Sequence, residues 1–180
     1  MCKQCNTNPV YEFTNQRKLC KNCFIEYFQK KVLYTIRKFG MAHSGETIRY
    51  KNNGTFRDVV LEDILRMFSE KANAKLTKSS KADKIAVSST LDLEADDITH
   101  KLIKENIQNS KFSPVVGKTI KPLYLFLDEE ILLYAKIRKL KFKKIKEKKD
   151  KISSFIDELE EKHPEIKRAI VNSLLKIYNR

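Results

Sequence analysis

Four cysteines within the first 23 residues constrain this chain more than any other feature of its sequence. They form two Cys-x2-Cys pairs separated by fourteen residues, Cys2 with Cys5 and Cys20 with Cys23. This spacing is typical of a tetrahedral site in which four thiolates bind one metal ion. A segment that folds around a metal needs little core of its own, so we expect the rest of the chain to fold by apolar packing.

Zinc is the metal that this spacing favours most, because four thiolates around zinc can fold a segment that has almost no core. An iron–sulfur cluster accepts the same ligands, and a redox dithiol is a further alternative. The start of the chain, Met-Cys-Lys-Gln-Cys, has no apolar signal core, which favours the reducing cytosol over a disulfide-forming compartment. We therefore expect a cytoplasmic zinc protein without a membrane partner.

The chain is strongly basic, with 37 Lys and Arg residues, 23 Asp and Glu residues and a net charge of +14. This balance favours polyanionic partners. The run from Lys136 to Lys151 has ten basic and two acidic residues, a local net charge of +8, and is the expected phosphate-facing surface. A solvated helix face is the alternative. The candidate RNA-binding residues are Lys136, Arg138, Lys139, Lys141, Lys143, Lys144, Lys146, Lys148 and Lys149.

Apolar residues recur at helical spacing along most of the chain, which predicts a mostly helical protein. One such helix follows Cys23 and ends near Gly40, and a short buried strand is predicted at Lys84–Ser88. We expect four segments: a four-cysteine module with a basic amphipathic helix at 1–40, a loop or boundary at 41–56, a reduced α/β domain at 57–126 and a basic helical region at 127–180.

Acidic residues cluster at the start of a predicted helix, at Asp92, Glu94, Asp96 and Asp97. They suit metal or acid chemistry, but a helix N-terminus prefers the same residues for its dipole. The three histidines are isolated from one another, so surface or capping positions are expected for them. None of the four glycines belongs to a GxxxxGK[ST] or GxGxxG phosphate loop.

Several stretches of the sequence follow one family's order. Cys2-Lys-Gln-Cys5, Pro9-Val-Tyr11, Leu19-Cys-Lys-Asn-Cys-Phe24, Lys31-Val32 and Thr35-Ile-Arg-Lys38 resemble the opening of the tRNA 2-thiolation proteins. These are PP-loop ATPases of the archaeal, thermophile and eukaryotic cytosolic type. Further along, Asp83–Ala95 is similar to the family's ATGHNLDDEA region, and Ile120-Lys-Pro-Leu123 with Glu130–Leu140 is similar to its KPL and YA-x4-L region.

The resemblance implies that ATP adenylates the C2 oxygen of a tRNA uridine and that sulfur delivery then yields 2-thiouridine. The chain departs from this pattern. The SGGxDS pyrophosphate loop is missing, as though the first strands of the nucleotide domain had been removed between Gly40 and Phe56. The family's further cysteines, for a catalytic iron–sulfur cluster and a second zinc finger, are absent as well. Asp92 and Glu94 remain as candidate remnants of the nucleotide site.

We therefore expect a truncated and catalytically incomplete family member. Its fold is an α/β remnant, mostly helical, with the zinc module, a reduced Rossmann-like domain and C-terminal helices. The expected role is tRNA binding, or service as an accessory subunit beside a complete thiolation subunit or a second copy of itself. Zinc is the expected cofactor, whereas ATP and an iron–sulfur cluster are not expected. The alternatives are an active sulfurtransferase completed by a partner's PP-loop and a general zinc-containing RNA- or ribosome-binding module.

Overall fold

The computed structural model describes residues 1–104, 112–144 and 150–178. The chain opens with a two-stranded antiparallel hairpin, β1 (Tyr11–Glu12) and β2 (Lys18–Leu19), followed by the long helix α1 (Lys21–Lys38). The helix predicted after Cys23 is thus present and begins two residues earlier than that cysteine. Gly40, with a φ of 55°, turns the chain after the helix ends, as its position predicted.

The middle of the chain forms a five-stranded sheet with the order β4-β3-β5-β7-β6. All neighbouring strands are parallel except β6, which pairs antiparallel with β7. Helix α2 connects β3 to β4, and helix α3 follows β5. The bounds are β3 (Thr47–Tyr50), α2 (Phe56–Ala72), β4 (Lys75–Thr77), β5 (Lys84–Ala86), α3 (Leu91–Ile103), β6 (Val115–Val116) and β7 (Thr119–Ile120).

Strand β3 lies inside the segment 41–56. The sequence predicts a loop or boundary there, and the resemblance implies that the first strands of the nucleotide domain are missing from it. The structure shows instead a strand that pairs with β4 on one side and β5 on the other. The strand has only four residues, of which only Ile48 is buried. It is therefore too short to show a clear alternation of apolar and polar residues in the sequence. Its pairing partners are distant in sequence, and only the folded sheet reveals them.

Three helices complete the described chain: α4 (Asp128–Ile137), α5 (Lys151–Lys162) and α6 (Ile166–Tyr178). Aromatic rings join α1 to α4, because the ring of Phe28 lies 4.3 Å from the rings of both Tyr134 and Phe126. A second cluster holds α6 against α3 through Val171, Ala95 and Ile98, all fully buried. Each cluster gives the helices an apolar face to bury, which stabilises them beyond their intrinsic propensity.

The predicted class, a mixed and largely helical α/β protein with an N-terminal cysteine module, is confirmed. The Rossmann-like topology of the sheet and the four-segment division stay predictions. Among the described residues, no helix is both long enough and apolar enough to cross a bilayer.

Candidate metal centre

The β1–β2 hairpin and the start of α1 bring the four cysteines together. Cys2 and Cys5 lie in a tight turn before the hairpin, where the Asn6 amide donates to the Cys2 carbonyl oxygen at 3.1 Å. Cys20 follows β2 and stands at the N-cap of α1, and Cys23 lies in the first turn of that helix. Leu19 pairs with Tyr11 across the hairpin, which holds the second cysteine pair next to the first.

The four sulfur atoms lie within 4.8 Å of one another. Cys5 Sγ is 3.4 Å from Cys20 Sγ and 3.5 Å from Cys23 Sγ. Cys2 and Cys20 are buried, Cys23 is half-buried and Cys5 is exposed. The prediction that these four residues form one metal-binding cluster is confirmed, and the side of the cluster that carries Cys5 faces solvent.

The surroundings of the thiols favour ionisation of part of the set. A side-chain hydrogen bond with Thr7 lowers the pKa of Cys20 to about 6. Burial opposes ionisation of Cys2, but backbone hydrogen bonds from Gln4 and Cys20 outweigh it, so the pKa of Cys2 is also lowered. The hydrogen bond with Cys5 and burial raise the pKa of Cys23. Thiolates are the form that ligates metal, so Cys2 and Cys20 are the two members of the set whose surroundings favour ligation.

The loop between β3 and α2 runs from the end of a parallel strand to a helix N-terminus, a kind of position that can hold phosphate. It carries a single glycine, Gly54, with a φ of 84°. The Gly54 amide donates to Asn52 Oδ1 at 2.7 Å, and the Asn53 amide donates to Asp58 Oδ2 at 3.1 Å. Thr55 caps the helix by accepting from the Asp58 amide. Two amides of this loop therefore already have acceptors within the chain.

The two candidate remnants of a nucleotide site bind other parts of the protein. Asp92 accepts from Lys167 Nζ and from the Asp128 amide, both at 2.7 Å. Glu94 is 4% exposed, forms an ion pair with Lys121 at 2.7 Å and accepts from the Ser89 hydroxyl. Each carboxylate therefore joins α3 to a distant segment of the chain.

The described part of the basic run lies at the end of α4 and beyond it. Arg138 pairs with Asp63 at 3.1 Å, and the Lys143 amide donates to the Gly54 carbonyl oxygen at 2.7 Å, which places the run against the loop after β3. Lys146, Lys148 and Lys149 lie outside the described residues. The candidates that are described and exposed are Lys136, Arg138, Lys139, Lys141, Lys143 and Lys144.

No family model matches the sequence, and no curated protein matches it either. One solved structure, described as "U34-tRNA thiolase NcsA from Methanococcus maripaludis with its [4Fe-4S] cluster", is similar over 99% of this chain and 87% of its own, with a TM-score of 0.81. The chain has a tRNA thiolase-like fold. The sequence identity of the match is 18%, so the likeness concerns the fold.

The comparison corrects the cofactor expectation, which was zinc without an iron–sulfur cluster. The thiolase neighbour carries a [4Fe-4S] cluster, and the four thiols of this chain lie together at one place. The expectation was wrong because it rested on the absence of the family's further cysteines, whereas four thiolates at this spacing suit both groups. The expected truncation, the accessory role and its two alternatives gain no confirmation from the match.

Proposed function

We propose that this chain acts in tRNA thiolation by binding tRNA. The observation that carries the proposal is the shared fold, which extends over 99% of the chain and matches a protein described as a U34-tRNA thiolase. The net charge of +14 supports a polyanionic partner, because Lys and Arg side chains that neutralise phosphates release condensed counterions.

The basic run supplies the surface for the tRNA backbone. Its described cationic side chains are exposed, and the run passes directly beside the loop between β3 and α2. In open α/β sheets, ligands bind outside the carboxyl ends of the strands, where the order of the strands reverses. Strands β3 and β5 meet at such a point, since the chain runs from β3 to β4 on one side and returns to β5 on the other. An RNA held by the run would therefore reach this edge of the sheet.

We further propose that Cys2, Cys5, Cys20 and Cys23 hold an iron–sulfur cluster. The donor set fits, because clusters of this kind are held by cysteine thiolates and the four sulfur atoms are close enough to share one centre. When bound, such a cluster would supply iron that binds sulfur ligands. It would also accept and donate electrons, at a reduction potential set by its surroundings. The chain itself sets the pKa values of the thiols that would hold the cluster, and it places Cys5 on the side that faces solvent.

Protein purified without oxygen is expected to contain iron and acid-labile sulfide and to show the visible absorption of an iron–sulfur cluster. Cys20→Ser should lose most of both elements, because Cys20 is a buried member of the ligand set and stands between β2 and α1. Lys3→Gln is the matched control, since Lys3 is exposed and lies between the first two cysteines without offering a thiol. A metal ion bound without labile sulfide would contradict the cluster.

The loop after β3 supports an accessory role within thiolation. A phosphate loop holds its ligand with a row of backbone N–H groups, whereas the amides of Asn53 and Gly54 already donate to side chains of this protein. The side chain of Lys143 also lies over Gly54, where a Cβ atom would meet it at 3.3 Å. We propose that the chain presents tRNA and that a second protein activates the uridine.

The purified chain, given tRNA, ATP and sulfide, is expected to produce no 2-thiouridine. Mass spectrometry of the digested tRNA nucleosides measures this directly, with a complete thiolase under the same conditions as the positive control. Formation of 2-thiouridine by the chain alone would contradict the accessory role while leaving a role in thiolation intact.

A further inference from the structure

Helix α1 carries a groove of about 340 Å³ that is separate from the basic run and from the sheet edge. Two tyrosines and two lysines of the helix line it, together with one acid and one residue of the cysteine turn. The lining residues are Gln4, Glu26, Tyr27, Lys30, Lys31 and Tyr34. The helical positions are spaced by three, four and seven residues, so they share one face of α1.

The two tyrosines differ in what they contact. The ring of Tyr27 packs edge-on against Phe13 at 4.9 Å and forms part of the protein's apolar packing. Tyr34, in contrast, is 51% exposed and is one of the exposed large apolar side chains of the described chain. The sequence places Tyr27 on the apolar face of the helix, but it gives no signal that Tyr34 would extend a wall of the same groove.

Cations accompany both rings. Lys31 Nζ lies 5.6 Å from the centroid of Tyr27, and Lys38 Nζ lies 5.9 Å from that of Tyr34. Arg17, on the hairpin, places its guanidinium carbon 4.9 Å from the centroid of the Tyr27 ring. Alternation of aromatic rings with cations is the arrangement that binds single-stranded nucleic acid, because every base offers a π-face and every nucleotide a phosphate.

We propose that this groove binds one unpaired nucleotide of an RNA, with the base stacked on Tyr34 and its phosphate held by Lys30. This inference rests on the proposed binding of tRNA and adds a second contact, for an unpaired base, to the backbone contact of the basic run. A base inside a duplex cannot enter, since the neighbouring base pairs cover both of its faces. The chemistry therefore selects loops and strand ends over helical stems.

The two lysines have different roles in the groove. Lys31 is fixed, because its ammonium lies 4.2 Å from the Phe126 centroid and 3.5 Å from the buried Glu130 carboxylate. Lys30 is 74% exposed and pairs with Glu26 at 2.5 Å. An exposed pair of this kind contributes little stability, so Lys30 can leave Glu26 for a phosphate.

The groove is coupled to the metal centre through Gln4. This residue stands between Cys2 and Cys5 in the tight turn, and it lines the groove together with the residues of α1. Ligation of the two cysteines would hold the turn, and with it the position of Gln4. Metal binding would then also fix the part of the groove that Gln4 lines.

The test compares two RNAs by fluorescence anisotropy, a short unstructured oligonucleotide and a long duplex, in which nearly every base is stacked on both faces. Tyr34→Ala is expected to weaken binding of the single strand about tenfold, the usual size of one lost stacking contact, and to leave the duplex unchanged. Tyr34→Phe keeps the ring and should bind like the parent. Phe155→Ala is the matched control, because Phe155 is 53% exposed, lies on α5 and is not among the residues that line the groove.

Equal affinity of Tyr34→Ala and the parent for the single strand would overturn the proposal that the groove binds a nucleotide. An equal loss of affinity for the single strand and the duplex would overturn it as well. Either result leaves the proposed function standing as long as the parent binds tRNA. A parent that fails to bind tRNA would overturn the proposed function and the groove together. Circular dichroism of each variant checks that α1 is retained.

Discussion

Replacement of Lys167 by Met is expected to lower the free energy of unfolding by about 3 kcal/mol, near the lower end of the range for breaking a buried ion pair. The Lys167 side chain is 8% exposed, and its ammonium contacts Asp92 at 2.7 Å, Asp157 at 2.9 Å and Glu160 at 2.6 Å. Its loss leaves these acids together without their shared cation. They are a fifth to a third exposed, so solvent screens part of their repulsion.

The positive charge of Lys167 is part of its contribution to the stability of the fold. Burial opposes the charge, but hydrogen bonds to Asp92 and Glu160 raise the pKa of Lys167 above its ordinary value. A raised lysine pKa contributes stability that is fully present at neutral pH and is lost as the pH rises through the folded-state value. The parent should therefore lose this increment in strong alkali, and Lys167→Met should not.

Urea denaturation followed by circular dichroism measures the difference as a shift of the midpoint. Lys176→Met is the control, because Lys176 is an exposed lysine of the same helix and its replacement should change stability by less than about 0.5 kcal/mol. Equal midpoints for Lys167→Met and Lys176→Met would show that the network around Lys167 contributes nothing to the fold.

Replacement of Lys136, Lys139, Lys141 and Lys144 by Gln is expected to weaken tRNA binding by about tenfold or more at physiological salt. All four side chains are exposed and belong to the basic run. Contacts to phosphate position an RNA without reading its bases, so every tRNA should lose a similar factor. The dependence of affinity on salt should also become shallower, because fewer counterions are released.

A second quadruple variant distinguishes the effect of this surface on tRNA binding from the effect of the net charge. Lys71, Lys104, Lys162 and Lys176 are exposed lysines scattered over four helix ends, and their replacement by Gln changes the total charge by the same amount. We expect this control to bind tRNA nearly as well as the parent. Titrations at low and physiological salt that show equal losses for the two variants would mean that the run is an ordinary solvated surface.

The local features of this protein were readable from its sequence. The spacing of Cys2, Cys5, Cys20 and Cys23 predicts one thiolate cluster, and the structure brings the four sulfur atoms within 4.8 Å of one another. The apolar positions of α1 predict a helix that ends near Gly40. Both depend on residues close in the chain, whose relative positions are set by backbone geometry and metal-ligand spacing.

Features that join distant residues needed the tertiary structure. Strand β3 is four residues long and is recognisable only by its pairing with β4 and β5. Asp92 looked like part of a nucleotide site, yet its partner is Lys167, 75 positions away in the sequence. Tyr34 becomes part of a groove only because the folded chain brings Gln4, in the cysteine turn, to the same groove. Local periodicity carries no information about such pairs, since long-range contacts are selected by packing and charge in the folded chain.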